Sequence, residues 1–168
     1  MIEKDTYRDA MSCMAAAVNV ITSDGVGGMA GCTVSAVCSV TDEPPTLLVC
    51  INRSTGNNQI IRDNGKLCVN VLSGEQIDIA NRFSQKGLSA AERLAASNWS
   101  VLATGAPVLD GALCSLDCEI DAMHEVGTHT VFFCNVKAVR RSDGADGLIY
   151  FGRTFHRVAA VPNQAMVA

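Results

Sequence analysis

The feature that most constrains this chain is how its apolar residues are parcelled out. They fall into short runs of Val, Ile, Leu, Cys and Thr, and Gly, Pro, Asp or Asn breaks each run before a long helix could form. Residues 18–22, 29–41, 46–51, 67–72, 111–122, 128–139 and 148–151 read as strands. The run at 46–51 is continuously apolar, as in a strand buried on both faces, and 67–72 is similar. Residues 111–122 alternate. Ala112, Cys114, Leu116, Cys118, Ile120 and Ala122 face one side, and Leu113, Ser115, Asp117, Glu119 and Asp121 face the other, which predicts a half-buried strand. Pro44 and Pro45 stop any ladder after residue 41.

Helical spacing is confined to a few stretches. Tyr7, Ala10, Met11, Met14 and Val18 predict a helix over 5–18 with a buried face. A short helix within 52–64 ends at Gly65, in the left-handed cap position. Ser73 and Gln76 have capping-box spacing and start a helix running to about Phe83. Another short helix falls near 90–96, residues 142–147 make a turn, and the tail after Arg157 has no periodicity. Six to eight strands in hairpin-like succession against about three short helices predict an antiparallel β-barrel with peripheral helices. With 168 residues and no repeat or linker, the expectation is one domain with a core over about 6–158.

Charge and cysteine usage narrow the setting. The net charge of −4 gives no electrostatic reason to expect nucleic acid or a membrane surface as partner. No run approaches the roughly 20 apolar residues of a spanning helix, and the first residues lack the apolar core of a signal peptide. Eight cysteines form no CxxC pair and no zinc-spaced cluster, and most sit inside apolar runs. That usage fits a reducing cytoplasm with free thiols and no metal site.

Four segments carry the polar groups that chemistry could use. Cys32, Thr33, Val34, Ser35, Ala36, Val37 and Ser39 lie on an extended stretch where backbone N–H groups and hydroxyls could meet a planar ring; the same pattern also describes a strand with Thr and Ser facing water. Asn52, Arg53, Ser54, Thr55 and Asn58 sit where a strand gives way to a helix, which suits a phosphate or serves only as a helix cap. His129 follows a Gly-Thr turn and could face a cleft or be structural. Tyr150, Phe151, Gly152, Arg153, Phe155 and His156 interleave aromatics with cations, fit either for stacking on rings and binding phosphates or for packing on the sheet. No Ser/His/Asp or Cys/His arrangement is legible, and no G-x-G-x-x-G follows the first strand.

Taken together, the segments resemble the short-chain flavin reductases. The resemblance runs over about 6–158 and is carried by Tyr7–Thr22, Ser35–Cys50, Leu67–Leu72, Val126-Gly-Thr-His129 and Tyr150-Phe-Gly-Arg-Thr-Phe-His156. The family includes reductase components of two-component aromatic monooxygenases and the reductase of pyrimidine utilisation. It implies a mainly β fold, a Greek-key split β-barrel of the FMN-binding type with short peripheral helices, built as a homodimer. It implies NAD(P)H-dependent reduction of FMN or FAD, with NADH the expected donor and NADPH an alternative, and a separate oxygenase receiving reduced flavin. By resemblance, Cys32 to Val37 and Ser39 line the flavin ring and ribityl chain. Asn52, Arg53, Ser54, Thr55 and Asn58 sit near its phosphate, and Phe83 and Ser84 border it. His129 and the 150–156 segment meet the nicotinamide nucleotide. Cys32, Val34 and the Gly56-Asn57-Asn58 turn depart from the family's commoner residues. Two rival readings share the strand pattern: a flavin- or heme-binding split-barrel protein without reductase activity, and a non-catalytic interaction domain.

Overall fold

In the computed structural model, which describes residues 2–143 and 146–160, the apolar runs are strands and the polar breaks are turns and short helices. In chain order the elements are α1 (Lys4–Ser12), β1 (Ala16–Ala17), β2 (Asn19–Gly25), β3 (Gly28–Val34), β4 (Val37–Asp42), β5 (Pro45–Asn52), α2 (Gly56–Asn64) and β6 (Lys66–Val71). Then follow α3 (Ile77–Ser84), α4 (Ala90–Leu94), β7 (Trp99–Val101), β8 (Pro107–Leu109), β9 (Cys114–Val126), β10 (His129–Arg141), β11 (Gly147–Phe151) and β12 (Thr154–Val158). The protein is mainly β.

Seven strands form one antiparallel sheet in the order β3-β2-β6-β9-β10-β5-β4. Its two edge strands are consecutive in sequence, joined only by Ser35 and Ala36. Three peptide steps from Val34 to Val37 reach at most about 11 Å, whereas six flat inter-strand gaps would span roughly 29 Å. The sheet therefore curls until its edges approach each other at this corner. No ladder closes it, because β3 pairs only with β2 and β4 only with β5. The closed hydrogen-bonded barrel read from the strand pattern is thus replaced by an open, curled sheet.

Three cores hold the molecule. Inside the curl, Ile21, Val49, Ile51, Leu67, Val69 and Phe132 pack together, and Ile61 of α2 joins them. On the other side of β2, Val18, Val20, Leu72, Ala80, Phe83, Leu109 and Leu148 bring α3, β8 and β11 into a second core. Cys68, Ala106 and Val108 form a small third one under the β7–β8 hairpin. Gly65 ends α2 at φ 65°, as its position predicted.

Several expectations fail for identifiable reasons. The first helix stops at Ser12 and buries none of its residues; Tyr7 is 59% exposed, and Met14, beyond its end, is 64% exposed. Val18 is instead drawn into the sheet region, where its N–H donates to Leu148 and its carbonyl accepts from Leu72. The helix after Ser73 starts later, at Ile77. Only half of the expected box exists, the Ser73 N–H donating to Gln76 Oε1 at 3.0 Å. The complete capping box is Ser89–Glu92, at the start of α4. β5 is buried on one face and only half-buried on the other. In β9, Ser115 and Asp117 lie on the face opposite the apolar one, yet both are buried. The β7–β8 hairpin, which no local pattern announces, covers them: Asp117 accepts from Thr104 N at 2.7 Å and Thr104 Oγ1 at 2.5 Å, while Ser115 donates to Asn70 of β6, which also accepts from Leu109 N of the hairpin. The prolines make a hairpin turn rather than a sheet end, with Pro45 opposite Asp42. Strand β12 continues past Phe151. The tail beyond 160 and residues 144–145 of the predicted turn lie outside the described residues.

Candidate functional site

The corner where β3 hands the chain to β4 is the geometric centre of the candidate site. Thr33 Oγ1 donates to the Ala80 carbonyl of α3 at 2.7 Å, and Asn19 Nδ2 donates to the Val34 carbonyl at 3.1 Å. Beyond the corner, the Ala36 carbonyl accepts from Cys50 N at 3.0 Å. Two residues further along β5, Asn52 lies opposite His129. Ser35 and Ala36 are left exposed on a segment fixed from both sides. Ala36 and His129 are separated by two strand spacings and about two residues, or roughly 12 Å.

Clefts open around this corner. One of about 430 Å3 is walled by Thr33, Ser35, Asn81 and Ser84 on one side and Tyr150, Arg153 and Phe155 on the other. The rings of Tyr150 and Phe155 meet edge-on at 5.4 Å, giving it an aromatic wall. A second, of about 500 Å3, is lined by Cys32, the first turn of α2, Lys86 and Arg93. A third, of about 620 Å3, holds Asn52, Arg53, Ser54, Arg62, Glu125 and Thr128.

The second cleft has the character of an anion site. The α2 N-cap, Thr55, makes no side-chain cap bond, because its hydroxyl donates to the Asn52 carbonyl at 2.9 Å. The first N–H groups of a nine-residue helix are therefore left without a side-chain cap at the cleft. Arg93 donates from Nη1 to Gly31 at 2.6 Å and from Nη2 to Gln85 at 2.7 Å, while its buried Nε has no partner among the described residues. An orphaned buried donor of this kind is costly unless a ligand oxygen satisfies it. Burial pushes the Cys32 thiol up to about 12, against a smaller opposing pull from Arg93. It stays a protonated, inert wall.

The predicted site residues divide among these places. Thr33 and Ser35 share the aromatic-walled cleft with Tyr150, Arg153 and Phe155. Val34 and Val37 pack on the first core, and Ser39 is exposed along β4. Arg53 and Ser54 line the third cleft, whereas Thr55 lines the second, so the expected phosphate cluster is split by the start of α2. Arg53 pairs with Glu125 at 3.0 Å, and Arg62 pairs with it at 2.7 Å. Those contacts, the Arg62 hydrogen bond first, hold the Glu125 carboxyl below the usual range. Asn58 is buried and its amide is used internally, donating to Ile51 O at 3.0 Å and accepting from Thr130 at 3.3 Å. Phe83 belongs to the core, its ring against Gly31 and 5.7 Å from Trp99, and also borders the second cleft, with its neighbour Ser84 at the rim. His129 Nδ1 lies 2.9 Å from Thr128 Oγ1. Phe151 and His156 face each other across the tight turn at Gly152 and Arg153, with His156 Nε2 3.1 Å from the Phe151 carbonyl.

Sequence reasoning missed Arg93, Lys86, Asn81, Arg62 and Glu125. Only Arg93 had a legible signal: the Ser89–Glu92 box fixes the start and the orientation of the short helix that carries it. Among the described residues no group of three or more His, Cys, Asp or Glu side chains could hold a metal ion.

Residues 11–159 match the family described as the flavin reductase like domain. The chain is 54% identical over 157 residues to a protein of Stutzerimonas stutzeri (strain A1501) named FMN reductase (NADH) RutF, covering 94% of this chain and 90% of that one. Among solved structures it is similar to the NADH:FAD oxidoreductase SgcE6 of Streptomyces globisporus C-1027, solved with NAD and FAD fragments. The TM-score is 0.86 at 25% identity, covering 96% and 95% of the two chains. It is also similar to BorF, the flavin reductase component of a bacterial two-component tryptophan halogenase. There the TM-score is 0.88 at 25% identity, covering 95% and 100%.

Proposed function

Because the chain belongs to the flavin reductase like domain family, we propose that it is an NADH-dependent FMN reductase acting at the Ser35–Ala36 corner. The observation that carries this reading is the meeting there of a hydroxyl- and aromatic-lined cleft with a cationic one that holds an unpartnered buried Arg93 Nε. The electron-acceptor chemistry belongs to the flavin, which takes a hydride from the reduced nicotinamide. The protein's part is binding and orientation. The α2 N-terminus, Lys86 and Arg93 hold the phosphate; Ser35 offers its hydroxyl to the polar edge of the ring system, beside Thr33, whose own hydroxyl is turned to Ala80; Tyr150 and Phe155 supply an apolar wall that excludes water. His129, next to Thr128 of the third cleft, positions the nicotinamide end of the donor. The donor NADH and the acceptor FMN follow the name of the S. stutzeri relative.

The same reading extends to assembly. BorF is one component of a two-component system, and here too reduced flavin leaves to serve a separate oxygenase. The chain is one domain with a split-barrel fold that works as a homodimer. Outward-facing Leu48 opposite Phe133 and Cys50 opposite Val131, all half-buried, give a second copy a landing surface. The eight free cysteines suit a reducing cytoplasm, and no helix is long and apolar enough to cross a membrane.

The test is FMN-dependent loss of NADH absorbance at 340 nm. The expected result is turnover with FMN, and a KM for FMN raised at least about tenfold in Arg93→Met, the worth of a charge-assisted hydrogen bond or more. No FMN-dependent NADH oxidation by the wild-type protein would sink the reading.

A further inference from the structure

A further groove takes no part in holding the flavin. It measures about 740 Å3, runs between α1 and the β11–β12 hairpin, and shares Ser35, Tyr150 and Arg153 with the aromatic-walled cleft. The two adjoin at these side chains. A dinucleotide that stacks its nicotinamide on the flavin ring at this corner has its adenosine end beside the larger groove.

The charged side chains of this groove form two pairs. Arg153 is bound by Asp9, and Arg8 lies 3.6 Å from Asp5. The four charges sum to zero. The Arg153–Asp9 pair is held in place from both ends. Arg153 occupies the second position of a two-residue turn, at φ 66° after Gly152 at φ 57°, the conformation a tight hairpin demands and one that L residues rarely adopt. The Gly152 N–H donates to the Ser12 carbonyl at 2.9 Å, and the Ser12 hydroxyl donates to the Asp9 carbonyl at 2.7 Å. The guanidinium and the carboxylate are thereby set against each other, although both are more than half exposed and their Coulomb attraction alone is weak.

We propose that Asp9 determines which nicotinamide nucleotide is used, by occupying the Arg153 guanidinium and denying it to a 2′-phosphate. The proposal rests on the reductase reading. NADPH differs from NADH by a phosphomonoester carrying about −1.5 to −2 charges near pH 7. Arginine is the side chain suited to such a group. In this groove a 2′-phosphate meets an arginine already neutralised and a carboxylate that repels it, whereas the 2′-hydroxyl of NADH meets no such opposition.

The experiment uses the full chain loaded with FMN and the isosteric variant Asp9→Asn. α1 buries none of its residues, so the fold is not at stake, and matching thermal unfolding checks it. Calorimetry with adenosine 2′,5′-bisphosphate should show at least about tenfold tighter binding to the variant, while 5′-AMP changes by less than about twofold, as expected when one charge-assisted contact becomes available. The ratio of kcat/KM for NADPH to that for NADH should rise by at least about tenfold. Adding Arg153→Gly, which accepts the positive φ, should abolish both gains. An unchanged ratio and unchanged bisphosphate binding in a folded Asp9→Asn protein overturns the proposal while wild-type NADH turnover keeps the reductase reading. Gains that survive loss of Arg153 also overturn it. Absence of wild-type NADH oxidation defeats the reductase reading itself, and the proposal with it.

Discussion

Gly31 is the point where β3 touches the helical layer, and adding one methyl group there should be felt both in stability and in the anion cleft. A Cβ built on Gly31 falls 2.6 Å from Phe83 Cε1 and 3.1 Å from Cδ1. The ring has little room to retreat, since Phe83 is 1% exposed and stacks at a tilt on Trp99, 5.7 Å away. Overpacking of this kind costs about 1–3 kcal/mol. The smaller unfolded-state entropy of Ala returns about 0.4–1 kcal/mol, so Gly31→Ala should lose about 1–2 kcal/mol, or about 3–6 °C in Tm for a chain of this length. Urea unfolding followed by the fluorescence of Trp99, the single tryptophan, measures it. The decisive step is a cycle with Phe83→Leu, which shortens the offending side chain. If the clash is the cause, the double variant should be more stable than the sum of the singles by at least about 1 kcal/mol. Because the Gly31 carbonyl accepts from Arg93 and its N–H donates to Asn57, the single variant should also bind FMN less tightly. Additivity within about 0.3 kcal/mol would refute the reasoning.

Three other outcomes are expected. Asn70 is fully buried and joins Val20, Thr22, Leu109 and Ser115 through its side-chain amide, so Asn70→Ala should lose about 3 kcal/mol or more in urea unfolding, since it strands several buried partners. His129→Ala should lower kcat/KM for NADH about tenfold without changing FMN affinity, because a positioning group is removed and no nucleophile is lost; complete inactivity with normal FMN binding would assign it a different role. Burial raises the thiols of Cys32 and Cys134 from 9.0 to about 12 and pushes Cys68 and Cys118 higher still. Below pH 9 both states keep these protons and stability is unaffected; above it the unfolded chain loses them first, so unfolding free energy should fall by up to about 1.4 kcal/mol per pH unit per thiol, and Cys134→Val should flatten urea midpoints measured between pH 8 and 10.5.

The strands were legible where one local rule sufficed. The run at 67–72 is apolar but for Asn70 and is bounded by Gly65 and Ser73, and it became β6 with four consecutive residues buried. Local rules failed where tertiary structure supplied the missing face. Asp117 and Ser115 look like the wet side of an amphipathic strand, and nothing near them in sequence announces that Thr104 and Asn70 will cover them. The spacing of Tyr7, Met11 and Met14 is truly helical in its first part, but Val18 belongs to a stronger competitor, the backbone pairing with Leu148 and Leu72. The candidate site was legible by segment and illegible by contact. The 33–35 and 150–155 segments do share a cleft, and Asn58 and Phe83 each border one, but nothing near them in sequence shows that their side chains are also used within the fold.

That division follows from how the corner is made. A cleft between sheet edges needs its walls held by groups that the ligand does not touch: Thr33 is oriented by a carbonyl of α3, Gly31 is gripped by Asn57 and Arg93, and Ala36 is fixed by Cys50. Each grip joins residues from 14 to 62 positions apart in sequence, so no motif can encode it. What a motif can encode is the short stretch left free once the grips are made. Ser35 and Ala36 are that stretch: both are exposed and flanked by anchored residues, and Ser35 is shared by the clefts on either side. If the corner works as a preorganised seat, a substitution that leaves Ser35 and Ala36 intact but loosens a grip should weaken FMN binding. Thr33→Val does so, since it keeps the shape and removes the bond to Ala80. It should raise the Kd for FMN by a few fold, about what one neutral hydrogen bond contributes, and an unchanged Kd would mean that the corner holds its form without α3.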